Sequence, residues 1–225
     1  WKTRDNGFEI RYIYKENGGV HTVHNTAYEN IGTELCVCVD SDNTLADGAA
    51  GLILSEWEKV REKGYAGLIG LEAYMENGEV IGTPFPENMT ETTWSGYYAS
   101  GGLGDKIPVY RTEVIASVAP YPVFKGEKYM SLTYKYLLVD QKYRLHTVNQ
   151  VLCNVEYQPD GTTNNMHRRY LQNPKGFAFL HKVMMQYPVS RKGQFIDCIH
   201  YVSSSQLAAN PNYMKESPKK FMTFL

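Results

Sequence analysis

The sequence predicts an α/β fold: a mixed, mostly parallel sheet flanked by helices, with a helical extension at the C-terminal end. Three observations predict it. The opening reads strand, helix, strand over Phe8–Tyr14, Val20 to about Asn30 and Leu35–Val39, an order that suggests parallel pairing through a right-handed crossover. The last of these segments is a short apolar run that ends abruptly in Asp40 and Asp42, and ligands of open α/β sheets bind at the C-terminal edge of the strands. Two helical stretches, near 165–186 and 194–209, finish the chain.

Each element follows from local pattern. Phe8-Glu9-Ile10-Arg11-Tyr12-Ile13-Tyr14 alternates and is rich in β-formers, so it reads as a strand. Asn17-Gly18-Gly19 is a turn, and Gly32 ends the helix that follows. Asp47 is expected to cap a helix running to about Lys63, with Ala50, Ile53, Leu54, Trp57 and Val60 on one face. Ala66–Leu71 reads as a strand, and Glu76-Asn77-Gly78-Glu79 as a turn into Val80-Ile81. Residues 84–106 are rich in Gly, Pro and Thr, too long for a plain connector, and suggest a functional loop with a short helix. Val109-Tyr110 is a short strand and Thr112–Ser117 a short helix, followed by a turn at Pro120-Tyr121-Pro122. Lys128 to about Val139 fits a helix, Arg144–Val148 and Val151–Tyr157 fit strands, and Gln158-Pro159-Asp160-Gly161 is a turn. The division expected is a catalytic core over 1–157 and a helical extension over 158–225.

Composition bounds the function. The 225 residues are 43% hydrophobic and 21% charged, which suits a chain with a sizeable core rather than a disordered one. A net charge of -1 gives no case for nucleic-acid binding. Cys36, Cys38, Cys153 and Cys198 include no Cys-x-x-Cys spacing, so they read as free thiols of a reducing compartment rather than as zinc ligands. No apolar run reaches the ~20 residues of a membrane span.

Four segments can carry chemistry. Asp40 and Asp42 lie one residue apart after a buried strand. A tight bend there lets the two carboxylates share a divalent cation, which neutralises a diphosphate. The plainer alternative is a strand-ending turn. A calcium loop is excluded, because Leu45 and Gly51 stand where such a loop needs Gly and Glu. Asn17, Gly18 and Gly19 precede a helix N-terminus that favours anions, with Asn25 further along. Glu127, just before a predicted helix, suits either a general base or a favourable charge at the helix start. His167 and Arg168 lie in a late basic cluster that either holds a departing diphosphate or forms a solvated helix face.

In order, Glu16-Asn17-Gly18-Gly19, Asn25, Val39-Asp40-Ser41-Asp42, Gly126-Glu127 and the late basic cluster resemble the family-2 glycosyltransferases of the GT-A fold. The resemblance spans roughly residues 8 to 190 and looks closest to bacterial enzymes of surface-polysaccharide synthesis. It implies a Rossmann-like GT-A sheet and metal-dependent, inverting transfer of a sugar from a nucleotide donor, such as a UDP-sugar, to a glycan or lipid-linked acceptor. It also implies Mg²⁺ or Mn²⁺ at Asp40 and Asp42, the donor beside Asn17, Gly18, Gly19, Asn25, His167 and Arg168, and Glu127 as the catalytic carboxylate. A cytoplasmic protein is implied. The basic-then-apolar tail Lys219-Lys220-Phe221-Met222-Thr223-Phe224-Leu225 suggests peripheral contact with the inner face of the membrane.

Two departures stand out. Lys128 occupies the second place of the family's Glu-Asp pair. The apolar first strand and base pocket of the family have no counterpart here, so the chain reads as truncated ahead of Trp1. Two other functions compete. A sugar nucleotidyltransferase shares the layout, but the early glycine-rich, Arg/Lys-bearing phosphate loop it needs is not seen. A non-catalytic sugar- or nucleotide-binding domain is consistent with Lys128.

Overall fold

A computed structural model describes residues 7–158 and 165–225. The opening Trp1–Arg4 and the turn expected at Pro159–Gly161 lie outside the described residues. Ten helices and six strands are present among them: α1 (Val20–Asn30), β1 (Leu35–Val37), β2 (Thr44–Leu45), α2 (Ala49–Val60), β3 (Gly67–Tyr74), β4 (Glu91–Thr92), α3 (Trp94–Ala99), β5 (Lys106–Arg111), α4 (Thr112–Ser117), α5 (Thr133–Asp140), β6 (Leu145–Val155), α6 (Met166–Gln172), α7 (Pro174–Met184), α8 (Arg191–Leu207), α9 (Tyr213–Glu216) and α10 (Lys220–Phe224).

The strands form one sheet in the order β1-β5-β3-β6-β2, with β4 also on β6. Only β3 and β6 pair in parallel; β1 with β5, β3 with β5, β2 with β6 and β4 with β6 are antiparallel. The mostly parallel, Rossmann-like GT-A sheet expected from sequence is therefore corrected. The sheet is mixed, mostly antiparallel and strongly curled into a half-barrel, with the C-terminal helices present. The physical reason is strand insertion. Because β1 and β3 both run antiparallel to β5, they run in the same direction, as their connection through α2 suggests. β5, later in the chain, sits between them. Local periodicity reports strand and helix order but is silent on which later strand inserts.

The curl has a local source. Register shifts interrupt the β3–β6 ladder between Gly70 and Leu71 and again between Leu71 and Glu72. Extra residues in one strand increase twist and bend the ladder. The two strands expected at 144–157 are a single β6, which pairs with β4 near Leu145 and with β2 near Cys153.

The Phe8–Tyr14 strand is a second correction. The segment is not in a ladder, and Phe8, Tyr12 and Tyr14 are largely exposed. Alternation makes an extended chain, but only a partner's N–H and C=O groups make it a strand. The expected helix at 128–139 shortens to α5, because the N–H groups of Lys128 and Tyr129 both donate to the Asn173 side chain instead of into a helical ladder. α2 starts after Gly48 with no side-chain cap, so Asp47 does not have the capping role expected of it.

Both faces of the sheet are covered. Ala49, Ile53, Trp57 and Val60 of α2 pack on Leu68, Val109 and Leu152. On the other side Tyr97, Val114, Ile115 and Tyr136 pack on Ile69, Leu71 and Tyr110. α7 joins α5 through Tyr134, Leu180 and Val183, while Met185, Cys198 and Tyr201 form a separate core among the C-terminal helices. No helix among the described residues is long and apolar enough to cross a membrane.

Candidate active site

β1 ends at Val37, and three residues later the chain turns sharply over Asp40–Asn43, closed by the Asn43 N–H on the Asp40 carbonyl at 3.0 Å. The Asn43 side chain accepts from the Glu156 N–H at 3.1 Å, which ties the turn to the end of β6. Asp40 and Asp42 are thus presented on a pinned bend at the sheet edge, as the sequence suggested. They line a cleft of about 640 Å³ together with Glu72, Asp105, Tyr157 and Arg169. Asp40 and Glu72 also line an adjoining, more apolar cavity of about 510 Å³ that contains His24, Tyr28, Trp94 and Tyr136.

The electrostatics of this cleft are dominated by carboxylates. Desolvation and then the neighbouring Asp42 raise the pKa of Asp40. Glu72 is pushed up to about 7, first by burial and then by Asp105, with Lys106 opposing and Asp40 adding to the rise. Lys106 does not neutralise the group. Its ammonium donates to the carbonyls of Ile81, Leu103 and Asp105 at 3.1, 3.0 and 3.1 Å, and so fastens the wall of the cleft. Asp105 accepts a hydrogen bond from the Tyr157 hydroxyl. Trp94 is placed by Asp140, which accepts from the Trp94 and Ser95 N–H groups at 3.0 and 2.8 Å and caps α3.

Asp40 and Asp42 are the residues that would hold Mg²⁺ or Mn²⁺. Among the described residues no group of three or more His, Cys, Asp or Glu side chains could hold a metal ion. Two carboxylates suit a cation that takes its remaining ligands from substrate phosphates and water. The repulsion that raises Asp40 is of the kind a cation relieves. The donor set therefore fits a cation shared with a diphosphate, not an all-protein cage.

The other sequence-predicted residues lie outside this cleft. Asn17 accepts from the Gly19 N–H at 3.1 Å and closes its own turn. Gly19 has φ 93, and a Cβ there would lie 1.9 Å from the Lys128 carbonyl oxygen, so close packing against Lys128 requires glycine. At Gly18 a Cβ would meet the Thr22 hydroxyl at 2.9 Å. Asn25 exchanges two hydrogen bonds of 2.9 Å with the backbone of Tyr121 and fastens α1 to that turn. Of the basic cluster, Arg169 lines the carboxylate cleft, Arg168 lines a neighbouring pocket, and His167 lines neither.

Glu127 has a definite position. Its two carboxylate oxygens accept from the Lys175 and Gly176 N–H groups at 2.9 and 2.8 Å, at the first turn of α7. In return, Asn173 accepts from Lys128 and Tyr129 at 2.8 and 2.9 Å, so the 127–129 segment and the α6–α7 junction hold each other. Glu127→Ala is expected to lower stability by about 1–2 kcal/mol, the usual cost of removing a helix cap. Chemical denaturation measures this. An unchanged midpoint accompanied by lost turnover would instead make Glu127 part of the chemistry.

Sequence reasoning missed Glu72, Asp105 and Tyr157, whereas Arg169 belongs to the late basic cluster that it singled out. One signal was present: Glu72 is the sole charged residue in the run Gly67–Tyr74, and a carboxylate in a buried strand needs a reason. No comparable local signal marks Asp105 or Tyr157. Comparison with protein-family models and with curated proteins gave no match to this chain.

Proposed function

We propose that this protein transfers a sugar from a nucleotide donor, such as a UDP-sugar, to a glycan or lipid-linked acceptor, in the manner of the family-2 glycosyltransferases its motif order resembles. The observation that carries this reading is the grouping of the pinned Asp40–Asp42 turn, Glu72 and Arg169 around one cleft. Asp40 and Asp42 would hold Mg²⁺ or Mn²⁺, which when bound supplies charge neutralisation for a diphosphate. Arg169 contributes a fixed cation suited to phosphate oxygens.

Glu72 takes the role of general base. Its raised pKa keeps a proton-accepting carboxylate poised near neutrality. In the proposed reaction the acceptor hydroxyl gives its proton to Glu72 while its oxygen attacks the anomeric carbon. The bond from that carbon to the donor phosphate oxygen breaks, and the electron pair leaves with the nucleoside diphosphate. The 510 Å³ cavity with Trp94, Tyr136 and Tyr28 offers flat faces for a base or a sugar. At the tail, Phe221, Phe224 and Leu225 are 76%, 79% and 76% exposed beside Lys219 and Lys220, a pattern that supports contact with an anionic membrane surface.

Calorimetric titration of UDP with and without Mn²⁺, followed by UDP-sugar turnover, tests the reading. Binding that needs Mn²⁺ and is lost on chelation is expected. Metal-independent sugar binding without turnover would replace it with the non-catalytic alternative.

A further inference from the structure

Next to the carboxylate cleft lies a second pocket of about 640 Å³, lined by Lys128, Arg168, Arg169, Tyr129 and Gln172 among others. Its charge is one-sided. Among the described residues, no ion pair involves Lys128, Arg168 or Arg169, although acidic residues outnumber basic ones in the chain as a whole. The nearest carboxylate in sequence, Glu127, is engaged by the N-terminus of α7. Among the described residues no carboxylate lines this pocket, so an anion that enters it meets cationic and neutral groups alone.

Two further features point to a ligand rather than to a solvated surface. Among the described residues the Nε of Arg169 is buried with no hydrogen-bond partner, while its guanidinium sits 5.4 Å from the centre of the Tyr129 ring. A buried N–H without an acceptor is costly, and an incoming oxyanion removes that cost. The pocket floor is also held rigidly. Asn173 clamps the Lys128 and Tyr129 amides and donates to the Arg169 carbonyl at 2.8 Å, which sets the distance between the two cationic walls.

Tyr129 and Arg169 line both this pocket and the carboxylate cleft. An anionic group in the pocket therefore leaves the rest of its molecule free to pass Tyr129 toward Glu72. Lys128, which replaces the acidic residue of the resembling family, contributes one of the cations. Resting on the sugar-transfer reading above, we infer that Lys128 and Arg168, with Arg169 at the shared wall, form the subsite for a phosphate or diphosphate ester on the acceptor. The acceptor is thus a phosphorylated molecule rather than a neutral glycan.

The test uses inorganic pyrophosphate as the probe, titrated into the full chain without Mn²⁺ or nucleotide. Binding is expected, weakening as salt rises, and about 10-fold or more weaker in Lys128→Gln and again in Arg168→Gln. Asp42→Ala is expected to leave it unchanged. Both cationic residues are exposed, so their replacement leaves the fold intact, and thermal melts of the variants check this. Pyrophosphate binding that is undetectable, that is indifferent to both substitutions, or that is lost in Asp42→Ala overturns the inference. Mn²⁺-dependent UDP binding is measured separately in the same variants. Its absence would overturn the sugar-transfer reading while leaving the anion result standing. Co-sedimentation with phosphatidylcholine vesicles carrying a polyprenyl diphosphate, set against titration with a hexose 1-phosphate, separates a lipid headgroup from a free phosphate ester. Either one, if sensitive to Lys128→Gln, supports the subsite.

Discussion

Asp42→Ala is expected to reduce Mn²⁺-dependent turnover of a nucleotide sugar by more than about 100-fold, since changes merely next to a metal ligand already cost 10–100-fold. The fold is expected to survive. Asp42 is exposed on a turn whose closure uses backbone groups and the Asn43 side chain, not its own carboxylate. Removing its charge also relieves Asp40, whose carboxyl is raised partly by Asp42. Thermal melts are therefore expected to show an unchanged or slightly higher midpoint in the absence of metal, and loss of the stabilisation that Mn²⁺ with UDP gives the parent. A variant that keeps full turnover would show that the pair is only a strand-ending turn. A variant that loses turnover through unfolding is identified by the melt. Asp40→Asn, which keeps the shape and removes one charge, then provides the second measurement.

Glu72→Gln is expected to separate function from stability. The substitution removes the proposed base, so transfer is expected to fall by about 10³-fold, as is typical of general-base loss. Stability moves the other way and depends on pH. The folded-state pKa of Glu72 is about 7, against an ordinary value of 4.5, chiefly through burial. The folded state thus holds the proton more tightly than the unfolded one. Below the unfolded value both states are protonated and there is no penalty. As pH rises from there through about 7, ionisation in the unfolded state destabilises the fold progressively, by roughly 3 kcal/mol once the group is ionised in both states. The glutamine variant is expected to be more stable than the parent at pH 8 and equal to it near pH 4. Denaturation at both pH values decides this. A variant less stable than the parent at pH 8 would mean that the Glu72 carboxylate makes a compensating interaction in the fold, not an unrelieved burial.

Legibility differed between elements for physical reasons. α1 was readable closely, because a helix makes its hydrogen bonds within its own segment and Gly19 borders its start. α4 was readable for the same reason. The Phe8–Tyr14 strand was misread because a strand depends on a partner elsewhere in the chain, and alternation says nothing of whether one arrives. The 128–139 helix was read too long because Asn173, far away in sequence, captures two amides that a helix would have used. Glycines were misleading in the same sense. Gly19 resembles a ligand-approach residue, yet the atom pressing on it is the carbonyl of Lys128.

By itself the sequence determined helices such as α1 and α4, the apolar run that leads into Asp40 and Asp42, and the basic cluster near residue 168. These are properties of contiguous residues, whose periodicity and turn chemistry act over a few positions. Only the tertiary structure decided that β5 lies between β1 and β3, so that the sheet is mostly antiparallel. It alone joined Glu72 and Arg169 to the aspartates, engaged Glu127 with α7, and placed Lys128 and Arg168 on a separate cationic pocket. Each of these depends on groups distant in sequence, whose meeting is governed by strand insertion and by side chains such as Asn173 that bridge segments.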